Sequence, residues 1–413
     1  MKGHFTKSKN QTEILHVLER VQRTELTLKS AAHILGFSHR QLKRIYKRFK
    51  TEGQQALVHR ACGKASNRAF DSQTRQLILD RYQQRYPDFG PTLAAEKLAE
   101  EGLAVDHETL RGWLIHEGLW QKQRKRSAHR SWRERRAHFG ELVQMDGSHH
   151  HWFEERGAAC CLMNMVDDAT GVTLALLAED ETTVAAMTLL WKWIDTFGIP
   201  AALYTDRKNL YVPSEKSAKR ASLEGVEQLT QFGRACQKLG IRIIEAHSPQ
   251  AKGRVERSNG VYQDRFVKEL RLAGVDSIAA ANELLYGVFL AHLNERFAVE
   301  AREASDFHRS AQGLDLAAIF CLEEERAMTS DWVVRFENSY YRLKPQSSYA
   351  PAVGKVFVRK QLDGELRFNY RGQDLDYKRL AERPARSEQK AEVSKTKGKY
   401  VPAPDHPWRK NWR

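Results

Sequence analysis

The chain has 413 residues, 41% of them hydrophobic and 29% charged, and 67 Lys and Arg against 52 Asp and Glu leave a net charge of +15. That length calls for several domains, and that much apolar side chain excludes wholesale disorder. No run approaches the eighteen or so apolar residues of a membrane span, and Met1-Lys2-Gly3-His4-Phe5-Thr6-Lys7 lacks the apolar stretch of a signal peptide. Five scattered cysteines (Cys62, Cys160, Cys161, Cys236, Cys321) show no CxxC spacing, which fits reduced thiols in cytoplasm rather than a disulfide framework or a structural zinc site.

Charge is distributed unevenly. Residues 1–140 sum to +14, residues 141–300 to −5 and residues 301–413 to +6. Basic flanks around a mildly acidic middle suit a protein that grips a polyanion with its ends and keeps carboxylates at its centre.

Residues 12–60 predict three short helices. Ile14, Leu15, Leu18 and Val21 recur at helical spacing, Leu28 to Leu35 form a second segment closed by Gly36, and Ser38 offers an N-cap for His39 to Glu52. The small residues Ala31 and Ala32 followed by Gly36 mark a helix-turn-helix. On the third helix Leu42, Ile45, Tyr46 and Phe49 make the apolar stripe. His39, Arg40, Gln41, Lys43, Arg44, Lys47 and Arg48 face away from it, as in a recognition helix laid against DNA. Residues 72–120 repeat the theme: a helix over Thr74 to Tyr86, the breaker Pro87 to Pro91, a helix over Thr92 to Glu101, and a third capped at Asp106 or His107 and ending near Gly118. Gln121 to His138 is a basic run that builds no core and would track a phosphate backbone, with Arg124, Lys125 and Arg126 in its densest part.

From Glu141 the pattern turns to strands. They are expected over Leu142 to Asp146, Cys160 to Asp167, Val172 to Leu177, Ala201 to Thr205 and Ile241 to Ala246. Helices are expected over Thr183 to Phe197, Gly225 to Leu239, and from beyond Pro249 to Leu272, giving an α/β layer sandwich. Beyond residue 325, Trp332 to Phe336 and Ser339 to Leu343 flank a turn at Glu337-Asn338, and Lys355 to Val358 and Glu365 to Tyr370 flank Asp363-Gly364. These predict a small antiparallel β-barrel, followed from Ala381 by a polar, basic, disordered tail.

Three carboxylates are spaced for metal-dependent phosphoryl transfer: Asp146 on the first strand, Asp206 at the end of another, and Glu256 near the start of the long helix. Neighbouring strands lie about 5 Å apart, so two strand aspartates can converge under a helix that brings the glutamate. Such an oxygen-rich set suits Mg²⁺ or Mn²⁺, and a pair of ions stabilises both the attacking and the leaving oxygen of an in-line displacement. Asp167 and Asp168 read instead as turn residues. His149-His150-His151 reads as a surface or DNA-proximal cluster, because no matching cysteine stands nearby in the sequence.

The stretch Tyr204-Thr205-Asp206 followed by His247-Ser248-Pro249-Gln250-Ala251-Lys252-Gly253-Arg254-Val255-Glu256-Arg257-Ser258-Asn259-Gly260 resembles the signature of DDE transposases with a retroviral-integrase-like catalytic core. Gln144-Met145-Asp146-Gly147-Ser148 is similar to the family's first-acid strand, and the overall order is most like bacterial insertion-sequence transposases of the ISNCY group. The resemblance implies a multidomain chain: helix-turn-helix domains over 1–65 and 66–120, a basic linker over 121–140, an RNase H-like core over 141–300, a helical connector over 301–324, a small β-barrel over 325–380 and a tail over 381–413. It implies an enzyme in which Asp146, Asp206 and Glu256 hold two Mg²⁺ (or Mn²⁺) ions. Lys252, Arg254 and Arg257 would hold phosphates near them. The implied reaction nicks the element's ends and joins the freed 3′ hydroxyls to target DNA, carried out by a homo-oligomer on paired terminal inverted repeats in the bacterial cytoplasm and nucleoid. The segment from Asp206 to Glu256 carries an extra stretch, Tyr211 to Leu223. The alternative is a domesticated, inactive relative acting as a sequence-specific DNA-binding regulator.

Overall fold

The structure is a computed structural model in which residues 9–58, 69–121, 134–206, 210–211, 229–245 and 253–382 are described. It divides into two compact units, Met1–Gln123 and Arg124–Arg413.

In the first unit, α1 (Lys9–Gln22), α2 (Leu28–Ile34) and α3 (His39–Glu52) follow the predicted order. Thr27 and Ser38 cap α2 and α3 by accepting from the amides of Ser30 (3.1 Å) and Gln41 (3.2 Å). Gly36 takes φ +66°, the left-handed conformation that lets the chain reverse between α2 and α3. Ala31 and Ala32 are buried, so the two backbones approach closely, and Leu18, Leu42 and Phe49 close the core. The same logic builds the second module from α4 (Ser72–Arg85), α5 (Pro91–Glu100) and α6 (His107–His116). Asp71 caps α4, Pro91 occupies the first turn of α5, and Asp106, rather than His107, caps α6 through the amides of Glu108 and Thr109.

The second unit opens on a five-stranded sheet of order β3-β2-β1-β4-β5: β1 (Val143–His150), β2 (Cys160–Asp167), β3 (Thr173–Ala178), β4 (Ala202–Thr205) and β5 (Arg242–Glu245). The first three strands are antiparallel, and β4 and β5 run parallel to β1 through crossovers. Every residue of β2 is buried, which explains its unbroken apolar run from Cys160 to Met163. Helices α7 (Thr183–Phe197), α8 (Gln231–Leu239) and α9 (Gly253–Leu272) cover the sheet, and α10 (Ile278–Leu284) and α11 (Leu290–Phe297) follow. Trp152, Trp193, Phe232, Tyr262 and Phe266 fill the core. This is the α/β layer arrangement expected over residues 141–300.

Two boundaries in this unit differ from expectation by four residues or more. Strand β1 runs four residues past Asp146, because His149 and His150 pair with Cys161 and Cys160 on β2 and Trp152 Nε1 donates to the Ser148 carbonyl at 3.2 Å. Helix α8 begins at Gln231, where the Thr230 hydroxyl accepts from the Gly233 amide at 2.9 Å and fixes its start; the expected first residues, 225–228, lie outside the described residues. The segments 207–209 and 246–252, most of the extra stretch after Tyr211, the linker over 122–133 and the tail from 383 lie outside the described residues.

After the short helix α12 (Leu316–Ile319), the β-rich end forms two sheets in place of the predicted barrel. One contains β6 (Cys321–Ala327), β9 (Lys355–Gln361), β10 (Leu366–Tyr370) and β11 (Gln373–Leu375). The other contains β7 (Val333–Phe336), β8 (Ser339–Leu343) and β12 (Tyr377–Leu380). The turn Glu337-Asn338 has both residues at positive φ, the conformation tight hairpins favour. Among the described residues the sheets do not close into one hydrogen-bonded barrel. The chain changes sheet at Asp376, between β11 and β12, and a single bridge joins Met328 to Val334. Both sheets instead face one apolar core of Trp332, Val334, Val358 and Phe368.

Candidate active site

Strand β1 sends Gln144, Asp146 and Ser148 to one face and Gly147 and His149 to the other. Helix α9 lies along the first face. Gln144 Oε1 accepts from the Val255 amide (3.2 Å), Asp146 Oδ2 accepts from Asn259 Nδ2 (3.2 Å), and Ser148 Oγ accepts from Gln263 Nε2 (3.0 Å). Steps of two along the strand match steps of four along the helix, about 6.7 Å against about 6 Å, so helix and strand run side by side. Asn164 of β2 strengthens the seam by donating to Asn259 Oδ1 (2.9 Å) and Ser258 Oγ (3.0 Å).

This alignment positions the predicted acids. Gln144 pairs with Tyr204 across the parallel β1–β4 ladder, and Asp146 and Asp206 each lie two residues beyond that pair in sequence. Glu256 follows Val255, whose amide is tied to Gln144, and precedes Asn259 by three residues, on the same side of α9. Asp146 and Asp206 are half-buried, while Glu256 is exposed.

Below them is a buried polar hub. Asp168 is fully buried and accepts from Gln144 Nε2 (2.8 Å), Arg254 Nε (2.8 Å) and the Arg136 amide (2.9 Å), clamping the first turn of α9 onto the sheet. Asp167 behaves as the predicted turn residue, accepting from the amide (2.7 Å) and hydroxyl (2.8 Å) of Thr170 and from the Gly140 amide (3.0 Å). Its burial pushes its carboxyl above the ordinary range despite those bonds. Asp168 therefore does more than turn the chain.

Arg254 is drawn inward by Asp168, its side chain 13% exposed, whereas Arg257 is exposed on the next turn. Arg135 donates to the Ala169 carbonyl at 3.0 Å. Burial, and then the Arg254 charge, hold its guanidinium below the usual arginine range. Lys252, Arg124, Lys125 and Arg126 fall outside the described residues. On α3, His39, Arg40, Gln41, Lys43, Arg44 and Lys47 are all exposed, while Arg48 turns back to donate to the Ala56 carbonyl at 2.8 Å.

Two groups escaped the sequence reading. Tyr211 is buried, donates to Glu181 Oε1 at 3.1 Å, and packs edge-on against Phe232 at 5.3 Å. Burial, the Glu181 carboxylate, and the charges of Asp206 and Asp146 push its hydroxyl well above the normal tyrosine range. Its position reports a concentration of negative charge where β1 and β4 meet. Asn259 lies within the motif that carries the family resemblance, and its spacing of three from Glu256 is the signal for it.

Comparison with known proteins bears on all of this. The family described as "Helix-turn-helix domain" matches residues 15–65. "Putative transposase y4bF" of Sinorhizobium fredii is 37% identical over 384 residues, 91% of this chain and 82% of that protein. "Transposase for insertion sequence IS1202" of Streptococcus pneumoniae is 28% identical over 443 residues, 97% of this chain and 93% of that protein. Among solved structures, the HTLV-2 integrase catalytic core domain in complex with magnesium aligns at 20% identity over 37% of this chain and 86% of that one, with a TM-score of 0.28. A simian T-cell lymphotropic virus intasome chain aligns at 15% identity over 67% and 91%, with a TM-score of 0.34.

Proposed function

This chain belongs to the insertion-sequence transposases, and from that premise we propose that it binds its element's terminal inverted repeats, nicks the ends and joins the 3′ hydroxyls to target DNA. The observation that supports this reading is the docking of α9 along β1, where Val255 and Asn259 bond Gln144 and Asp146 and bring the helix turn that carries Glu256 beside the strand that carries Asp146.

Carboxylate oxygens in a region already crowded with negative charge fit hard divalent cations, so Asp146, Asp206 and Glu256 would hold two Mg²⁺ or Mn²⁺ ions. When bound, such ions supply positive charge to the attacking and leaving oxygens of an in-line phosphoryl displacement. The chain's own residues orient and position. Asn259 donates to one oxygen of Asp146 and orients that carboxylate. Asp168 and Gln144 set the depth of α9, and with it the height of Glu256. Arg257, which is exposed, would receive the phosphate backbone together with Lys252. Arg254, turned onto Asp168, serves as a clamp. Helix α3 would read the end sequence, with the module of α4 to α6 as a second reader and the basic run over 121–140 following the backbone. The two-sheet domain would bridge protomers or DNA in a homo-oligomer that pairs two ends, in the cytoplasm and on the nucleoid.

The test is strand cleavage and transfer with purified protein, end-bearing DNA and Mg²⁺. Asp146→Asn and Glu256→Gln should each lower product formation by roughly 10²-fold or more while DNA binding persists. Wild-type levels of product from either variant would refute the assignment. Binding without any product from the wild-type protein would favour the regulator instead.

A further inference from the structure

The register between β1 and β2 assembles a second set of metal-ligating side chains on the sheet face opposite Asp146. His149 pairs directly with Cys161, so two residues twelve apart in sequence stand side by side. Glu181, just before α7, folds over the same spot. Nitrogen, sulfur and carboxylate oxygen of His149, Cys161 and Glu181 all lie within 4.8 Å of one another. We propose that His149, Cys161 and Glu181 form a site for a borderline-soft divalent cation of the Zn²⁺ class, distinct from the carboxylate site.

The donor set decides the class of ion. One imidazole, one thiolate and one carboxylate match zinc's preference for nitrogen and sulfur, while Mg²⁺ prefers oxygen alone. Three protein ligands leave a fourth position for water or for Asp180, whose Oδ1 is 3.7 Å from His149 Nε2. Tetrahedral bonds of about 2.0–2.3 Å place ligand atoms about 3.3–3.7 Å apart, so the group closes by about 1 Å on binding. His149 Nε2 is 3.9 Å from Glu181 Oε2 and its side chain is 58% exposed, so it is the member free to make that movement.

Two further features belong to a built site. Gly147 lies beneath the cluster: a Cβ there would stand 2.5 Å from Glu181 Oε2 and 3.1 Å from Cys161 Sγ. Only the bare glycine lets the carboxylate rest over the strand beside the sulfur. The other Glu181 oxygen accepts the Tyr211 hydroxyl at 3.1 Å, the outer hydrogen bond that fixes a ligating carboxylate. Binding would displace the thiol proton to solvent and leave a thiolate on the metal.

Co²⁺ is the probe, because its bond to thiolate produces a charge-transfer absorption that an oxygen-only site lacks. The full chain, stripped with chelator, should bind one equivalent of Co²⁺ with that absorption, and Zn²⁺ should displace it. The band should persist in Asp146→Asn and Cys160→Ser, vanish in Cys161→Ser, and need at least tenfold more Co²⁺ in His149→Ala. The exposed His149 carries the test should the buried Cys161→Ser variant fail to fold. Absence of the band in the wild-type chain, or an unchanged titration in His149→Ala, would overturn the proposal without touching the transposase reading.

Discussion

Asp168 shows what one buried carboxylate does for this protein. It holds three donors from three parts of the chain, and its pair with Arg254 is removed from water. Replacing it with alanine leaves a guanidinium and an amide buried without their acceptor, which costs about 3–5 kcal/mol. Urea denaturation of Asp168→Ala should register that loss, while Arg257→Ala, at an exposed position, should stay within about 0.5 kcal/mol of wild type. Asn259 belongs to the same scale with a different consequence. Its amide orients Asp146 rather than anchoring the helix alone, so Asn259→Ala should slow strand cleavage by about 10–100-fold at unchanged affinity for end DNA. An equal loss in both would assign Asn259 to folding alone.

Among the elements, α3 and the strand pair β6–β9 each carry a measurable expectation. The cationic face of α3 is exposed and takes no part in the core, so Arg44→Ala or Lys47→Ala should leave the melting temperature unchanged. Each should weaken binding to end DNA and reduce the slope of log affinity against log salt by about 1, as loss of one phosphate contact does. On β6, burial alone would raise the carboxyl of Glu323. Its bond to Arg359 Nε at 2.8 Å, with Arg234 and Lys238 nearby, holds it below the ordinary glutamate range. A lowered folded-state value means stabilisation that is fully present above the unfolded-state pKa and disappears as pH falls through the folded one. Glu323→Gln should therefore melt below wild type at neutral pH, by about 1.5–3 kcal/mol, and the two should converge on acidification below about pH 4. Parallel melting curves across that range would show that the Glu323–Arg359 pair adds no stability.

For the molecule as a whole, the separation into Met1–Gln123 and Arg124–Arg413 predicts two unfolding events. Leu42→Ala empties a fully buried position in the first unit and should lower one calorimetric transition, at a cost of about 2–5 kcal/mol. Trp193→Ala should lower the other. One shared transition displaced by both variants would show that the units fold as a single cooperative body. The described cysteines, Cys160, Cys161, Cys236 and Cys321, are buried and outside any disulfide, and Cys62 lies outside the described residues. Among the described residues no helix is long and apolar enough to cross a membrane.

Local chemistry was legible in the chain. The cap at Ser38, a cap for α6 at Asp106 or His107, the reversal at Gly36, the span of β2, the turn at Glu337-Asn338 and the basic face of α3 depend on neighbours a few residues away, and short-range periodicity and capping rules reach that far. The candidate acids were legible as residues, from their spacing and the family resemblance. The elements of the α/β core were legible too, but distance in sequence hid how they pack. The step-by-step docking of α9 on β1, the hub at Asp168, the extension of β1 past Asp146, and the two-sheet end in place of a barrel all depend on partners brought from elsewhere in the chain. His149 stands for the rest: in sequence it is one of three adjacent histidines without a cysteine beside them. Only strand register, a tertiary fact, sets Cys161 across from it.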